Sequence, residues 1–366
     1  MALPFGSITD PNSGTGYYVA LNGKSDEILN NANIIAVSQN LGQETSFRIE
    51  YAIDIEEDDL PRLVDKRFDP GSELAIFAFT NEETTCLVKG PIYGQKITIR
   101  RGGAGSLMTV LGGDRSVVMD RQTKTTEWRD VTDSEVASAI LSSYGFLTDI
   151  QKSPGGHFLA KHILVQRDSD LRFIRRLANR NGYHFWITWD ETGKETAHFR
   201  APSLDRDPLI SLSITANQAD MPGIDSLDIY WDVERPTGVV SAQLEQNAME
   251  SLDGNAEGSP LAVLGKQDLR SIAGELRTIH LHAPVDDSGD LQSRSRGLLI
   301  DSNWFLRANC ETSVNVIGKV IQNHNLLEIN GAGSRYSGIY YVAGVNHRID
   351  GTEHIMALTL LRNGWM

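Results

Sequence analysis

A chain of 366 residues, 40% hydrophobic and 22% charged, has ordinary globular composition and enough length for two or three separately cored units. Its formal net charge of −14 opposes the concentrated basic face on which sequence-independent nucleic-acid binding depends. The two cysteines, Cys86 and Cys310, lie far apart and outside any C-x-x-C spacing, which argues against a disulfide framework or a thiolate metal site and for two buried or half-buried thiols.

The first 125 residues read as short strands. Ile34–Val37, Ser46–Ile55, Glu73–Thr80, Cys86–Tyr93 and Lys96–Arg100 are rich in β-branched and aromatic residues and are separated by Gly, Pro, Asn or Asp. In the second of them Phe47, Ile49, Tyr51, Ile53 and Ile55 alternate with Arg48, Glu50 and Asp54, so one face is buried and the other wet. Pro70-Gly71 and Gly102-Gly103 punctuate the run, and a small barrel or sandwich is predicted. The acidic run Glu56-Glu57-Asp58-Asp59 reads as a solvated loop or helix start.

From about 126 the period changes. Thr132 and Glu135 form a capping box before a helical stripe of Val136, Ala137, Ile140, Leu141 and Tyr144, with Gly145 placed to stop it. A second helix is predicted over 169–181, capped by Ser169 or Asp170, with Leu171, Ile174, Leu177 and Ala178 facing inward. Its other face carries Arg172, Arg175, Arg176 and Arg180. The aromatic strand Tyr183–Trp189 follows, so 126–207 reads as a small α/β insert.

Beyond Pro208 strands return at Leu227–Val233, Val239–Leu244 and Thr278–Ala283, with a polar surface loop predicted over Met249–Pro260. A helix is predicted from Leu291 to about Arg307, weakened by Gly297. Strands Thr312–Val320, Leu326–Ile329, Gly338–Asn346 and Glu353–Leu361 close the chain, with Asp350-Gly351 as a hairpin signal. The expected fold class is mainly β (α+β), with barrel-like units at 1–125 and 208–366, the latter carrying a helix near 288–306.

Motifs for chemistry are sparse. Gly102-Gly103-Ala104-Gly105 and Gly331-Ala332-Gly333 lack the Gly-Lys-Ser/Thr ending of a phosphate loop and read as turns. His280 and His282, on one side of a strand, supply two ligands where a metal site needs three or four. No G-x-S-x-G elbow occurs. No catalytic residue, cofactor or metal site is therefore expected. The arginine face Arg172, Arg175, Arg176 and Arg180 reads as a solvated surface or a subunit or neighbour interface, where arginine is enriched. The N-terminus lacks the basic start and apolar run of a signal peptide. No stretch approaches about 18 apolar residues, so no membrane span is expected and a cytoplasmic origin is.

The run Val165-Gln166-Arg167-Asp168-Ser169-Asp170-Leu171-Arg172-Phe173-Ile174-Arg175-Arg176-Leu177-Ala178, continuing to Asn181-Gly182-Tyr183-His184-Phe185, resembles the signature of phage late control protein D and of the hub portion of VgrG proteins. Gly113-Asp114-Arg115-Ser116, Thr132–Ile140 and the closing Gly338–Val342, His347 and Leu358–Asn363 resemble further parts of that family, in order and from about 30 to 364.

The resemblance implies two tube-protein-like antiparallel barrels around the insert and a homotrimer acting as a pseudo-sixfold ring. Such a ring would adapt a sixfold tail tube to a threefold spike at the baseplate of a contractile tail. Implied partners are the tail tube protein, the tape measure protein, baseplate wedge proteins and, because the sequence ends soon after the hub-like part, a separate spike protein. DNA would be passing cargo. A baseplate peptidoglycan hydrolase and a carbohydrate-binding tail protein are the competing readings.

Overall fold

The computed structural model describes residues 7–10, 14–53, 60–159, 163–215, 221–245, 250–283, 285 and 288–366. The acidic run Glu56–Asp59 and residue Met249 lie outside them. The fold is mainly β, as expected. Alternation builds it locally: in the strand Ser46–Ala52, Phe47, Ile49 and Tyr51 are buried while Arg48 faces solvent.

Among the described residues, fourteen strands hydrogen-bond into one sheet. Its order runs Ser7–Asp10, Thr15–Leu21, Glu73–Phe79, Thr84–Thr98, Leu107–Gly113, Ser46–Ala52 and Ile34–Asn40. It then crosses to the far end of the chain, through Gly338–Asp350, His354–Arg362, Leu306–Ser313 and Leu227–Trp231. Leu326–Asn330 pairs with Gly338–Asp350 and carries Ile210–Ser213 on its other side, and Lys24–Ser25 pairs with Thr15–Leu21. The Asp350-Gly351 turn joins two strands as predicted.

Several expectations are corrected. Cys86–Tyr93 and Lys96–Arg100 form one strand of 15 residues, Thr84–Thr98. Its first half pairs with Glu73–Phe79 and its second with Leu107–Gly113, past an irregularity between Ile92 and Gly94. The strands Thr15–Leu21 and Leu107–Gly113 escaped the sequence reading. The first is buried on both faces and so lacks alternation, and the second ends in two glycines. Gly112 has to be glycine, because a Cβ there would fall 2.0 Å from the ring of Phe47.

The region predicted as the strand Thr312–Val320 is the end of the strand Leu306–Ser313 followed by a helical turn, Val314–Ile317. The Ser313 hydroxyl accepts from the Val316 amide to start that turn, and Gly318 at φ 68° ends it. Likewise Gly331-Ala332-Gly333 leads into a short helix, Gly333–Tyr336. The polar stretch before Pro260 is not all loop, since Glu250–Asp253 and Ala256–Glu257 are strands.

Between 126 and 200 the chain is mixed α/β. The capping box of Thr132 and Glu135 starts the helix Asp133–Ser143, and Ser169 caps the helix Asp170–Arg180. Both pack beside a three-stranded sheet ordered Leu147–Ile150, Glu195–Arg200, His184–Trp189. A second small sheet, centred on Gly238–Glu245 and including Thr278–Leu281, stands apart from the large one and is covered by the helix Ser288–Ser302. This helix starts at the expected 288 and ends earlier than predicted, because Leu306 and Arg307 already belong to the next strand. Gly297 sits mid-helix for a reason: the backbone of Asn181 and Gly182 lies against it, and a Cβ on Gly297 would come 2.7 Å from the Gly182 nitrogen.

Aromatic stacking docks the α/β region on the large sheet. The Trp186 ring lies between His324, at 3.7 Å between centroids, and His198, at 4.6 Å. The Tyr341 hydroxyl is 2.6 Å from His324 Nδ1, and His198 Nδ1 is 2.9 Å from Asp149. Elsewhere in the sheet His347 Nδ1 lies 3.0 Å from His354 Nε2. Burial holds all these imidazoles below their ordinary range: His184 falls to about 4, His354 to about 3, and His324 and His347 well below. His198 is also lowered, by burial that outweighs its contact with Asp149.

Two predictions follow from this packing. Gly297→Ala, which in a free helix would stabilise by about 1 kcal/mol, is expected to lower the melting temperature here, as thermal unfolding monitored by circular dichroism would show; a rise would refute the close-approach argument. The second concerns pH. Because the folded-state histidine pKa values are depressed, the unfolded chain takes up protons first as pH falls. Histidine-linked stability is therefore complete above about 6.5 and is lost as pH drops toward 4. Asp114, pushed up to about 6 by burial, acts in the opposite sense with a single proton. The denaturant midpoint is expected to fall between pH 7 and pH 5, each neutral-held histidine adding a slope of up to about 1.4 kcal/mol per pH unit. A midpoint that does not move over this interval, or a His354→Gln variant with undiminished slope, would contradict the assignment.

Candidate functional site

The arginine helix Asp170–Arg180 owes its position to both of its ends. The Ser169 hydroxyl accepts from the Arg172 amide, and Asn181 closes the helix before Gly182 turns away at φ 66°. Leu171, Phe173, Ile174, Leu177 and Ala178 are buried, which leaves Arg172, Arg175, Arg176 and Arg180 toward one cleft. The far wall is formed by Leu281, Ala283, Arg294, Leu298 and Asp301, and the open space between measures about 690 Å³.

All four arginines expected to share a face do line this cleft, but none is electrostatically free. Arg172 pairs with Asp120 at 3.1 Å, Arg175 with Glu44 at 2.9 Å and Arg176 with Asp168 at 2.5 Å. Arg180 is drawn deepest, onto the buried carboxylate of Asp133. Asp133 also receives the Asn181 side-chain amide at 2.7 Å, and its other oxygen lies 2.8 Å from His157 Nε2. Burial first, and the nearby Arg294 second, lower Arg180 to about 10, so it stays a cation at neutral pH. A buried charge left without its partner is costly, and Arg180 with Asp133 therefore ties the arginine helix to the helix Asp133–Ser143.

The exposed charges are Arg172, whose side chain is 71% accessible, and Arg176, at 49%. Around them lie arginine stems and the partly exposed Leu298. A cleft of compensated charges and apolar stems suits another protein surface better than a small free anion, since the anion would have to displace carboxylates already in place.

Sequence reasoning missed Arg294 and Asp301 on the opposite wall. The available signal was the spacing of Asp290 and Arg294, which form a bidentate i,i+4 pair at 2.9 and 3.2 Å. The raised pKa of Asp301 comes from burial.

The other singled-out motifs fall elsewhere. Gly102-Gly103-Ala104-Gly105 makes a turn at the tip of a hairpin, with Gly102, Gly103 and Gly105 at positive φ. His280 and His282 stack in parallel with centroids 6.5 Å apart on the exposed strand Thr278–Leu281 and just after it. Among the described residues, no group of three or more His, Cys, Asp or Glu side chains is placed to hold a metal ion. Cys86 and Cys310 are both buried, and burial pushes both thiols up, Cys310 to about 12, so they stay protonated at neutral pH. Gly113-Asp114-Arg115-Ser116 is a junction. Asp114 accepts from the Thr45 and Ser116 amides, while Arg115 reaches Glu195 at 2.6 Å and the Tyr144 carbonyl at 3.0 Å. In the closing motif the fully buried Arg362 donates to the Leu264 and Ser337 carbonyls, and Asn363 holds the Leu264 amide.

No curated protein matches this sequence. Solved structures do match its fold. A tail protein from Neisseria meningitidis MC58 superposes with a TM-score of 0.64 at 12% identity, over 96% of this chain and 97% of its own. The 43 kDa tail protein of prophage MuSo2 from Shewanella oneidensis gives 0.63 at 12% identity, over 95% and 98%. A component of the Escherichia coli type VI secretion system, described as similar in structure to T4 bacteriophage tail proteins, gives 0.58 at 12% identity, over 94% and 77%. At such identities the likeness is one of fold. The family model described as Alg8 N-terminal domain matches residues 18–351. That match runs from a strand near one edge of the large sheet to the hairpin turn at Gly351, and the chain belongs to the Alg8 N-terminal domain family.

Proposed function

We propose that this protein is a structural baseplate hub of a contractile tail or related injection particle. Three copies would form a ring with two tube-like modules each, 1–125 and 208–366 around an insert at 126–207, and so present six modules to a sixfold tube and three to a spike. The observation that carries the reading is the large sheet. Its two halves, one from each end of the chain, meet edge to edge across Ile34–Asn40 and Gly338–Asp350, in a fold shared with tail proteins over nearly its whole length. Two strand-rich halves in one subunit are what a threefold ring needs in order to imitate sixfold symmetry.

On this reading the tail tube protein, the tape measure protein and a spike protein contact the ring, wedge proteins surround it, and DNA passes through without being held. The protein works by large interfaces and not by catalysis. The cleft of Arg172, Arg175, Arg176 and Arg180 is then a contact with a second subunit or a neighbouring baseplate protein, resting on exposed guanidinium groups beside Leu298.

Sedimentation velocity on the purified chain is expected to give a trimer mass, and electron microscopy of the assembled particle is expected to put this chain on the tail axis. A monomer at high micromolar concentration together with an off-axis position would overturn the proposal. Clearing of peptidoglycan in a zymogram would replace it with the hydrolase reading.

A further inference from the structure

Two surfaces of this chain carry opposite charges with no ion-pair partner among the described residues. The first is the hairpin formed by Thr84–Thr98 and Leu107–Gly113. Toward its tip Ile97 and Ile99 are 43% and 57% exposed. Lys96, Arg100 and Arg101 are exposed among them, and none has a carboxylate within ion-pair distance among the described residues. Arg100 spends its Nε on the Gly105 carbonyl at 3.2 Å. In a chain of net charge −14, a basic and apolar finger of this kind is out of keeping with the rest.

The second surface is a pocket of about 360 Å³ lined by Asp225, Glu311, Thr312, Val316, Glu353 and Ile355. Its three carboxylates have no cationic partner among the described residues, Val316 is 60% exposed, and Thr312, only 8% exposed, has a hydroxyl with no hydrogen-bond partner. A buried hydroxyl in that state costs free energy until a ligand completes it. The carboxylates are not grouped as a metal site; their spread around an apolar floor suits a cationic, partly apolar peptide segment.

The register fixes how the two surfaces relate. Leu107 at the base of the hairpin tip pairs with Ala52, Glu50 pairs with Ile34, Ile34 with Asp350, and Ile355 with Ser313. Both surfaces therefore lie at the same end of the strands. They are separated by five strand spacings, about 24 Å along the sheet, too far for the finger to enter its own pocket but at matching height.

The geometry points to a head-to-tail contact in which the Lys96/Arg100/Arg101 finger of one copy enters the Asp225/Glu311/Glu353 pocket of the next. Such a heterologous contact generates a ring when its rotation closes. It rests on the ring reading above and adds the residues that join neighbours. Opposite charges facing across an interface also set its register and speed encounter.

The test is a charge swap followed by sedimentation velocity. Arg100→Glu with Arg101→Glu is expected to weaken self-association at least about tenfold, as is Glu311→Lys with Glu353→Lys, and mixing the two reversed variants is expected to restore a mixed pair but not a closed ring of three, in which one contact always joins like variants. Circular dichroism establishes that each variant is folded, and Thr312→Val, which keeps the shape of the pocket, serves as a milder probe expected to weaken assembly in the same direction. A wild-type chain that never assembles overturns the ring and this contact together. A wild-type chain that assembles while the reversed and Thr312→Val variants assemble equally well overturns the contact and leaves the ring standing.

Discussion

The pairing of Ile34–Asn40 with Gly344–Asp350 is the joint on which the architecture depends. It aligns Ile35 with Ile349 and Val37 with His347, all buried. A slip of one residue would turn Ile35 and Val37 out of the core and put Ile34, Ala36 and Ser38 in their place. Side chains reinforce the register. Ser38 donates to Asn346 across the joint. Gln39 donates to the Leu87 carbonyl on one side and accepts from the Asn323 amide on the other, so a single amide is shared between the halves. Because Gly338–Asp350 also pairs with His354–Arg362 and Leu326–Asn330, much of the second half hangs from this one strand.

The α/β region is held differently, by directed polar bonds and ring stacking at its margins. Arg115 with Glu195, Arg175 with Glu44 and Lys89 with the Gly193 carbonyl link it to the first half of the sheet. Trp186 and His324 link it to the second, and Gly182 against Gly297 seats it on the helix Ser288–Ser302. Such contacts fix orientation more than they add stability, since partly exposed ion pairs contribute little each. The region thus has a defined place between the halves, and the arginine cleft has a defined wall on each side.

How much of this the sequence discloses varies with the physics involved. Both helices of the α/β region are legible because caps and a 3.6-residue stripe are local signals, and Thr132 with Glu135, then Ser169, mark their starts within a residue. Alternating strands such as Ser46–Ala52 are legible for the same reason. Thr15–Leu21 is not, since burial on both faces erases the alternation, and Thr84–Thr98 looks like two strands because it changes partners midway. The arginine face is visible as a pattern. Its neutralisation is not, because Glu44, Asp120 and Asp133 come from distant sequence, and neither is the far wall with Arg294 and Leu298. Gly297 reads as a helix flaw until Gly182 is seen against it.

The joint between the two ends also governs how the chain comes off the ribosome. Ser38 and Asn346 are 308 positions apart, so at ordinary synthesis speeds the strand Ile34–Asn40 waits roughly 15 to 60 s for its partner. During that interval it offers an open β edge to any nascent neighbour. Loop closure over such a span makes the joint a late event in folding.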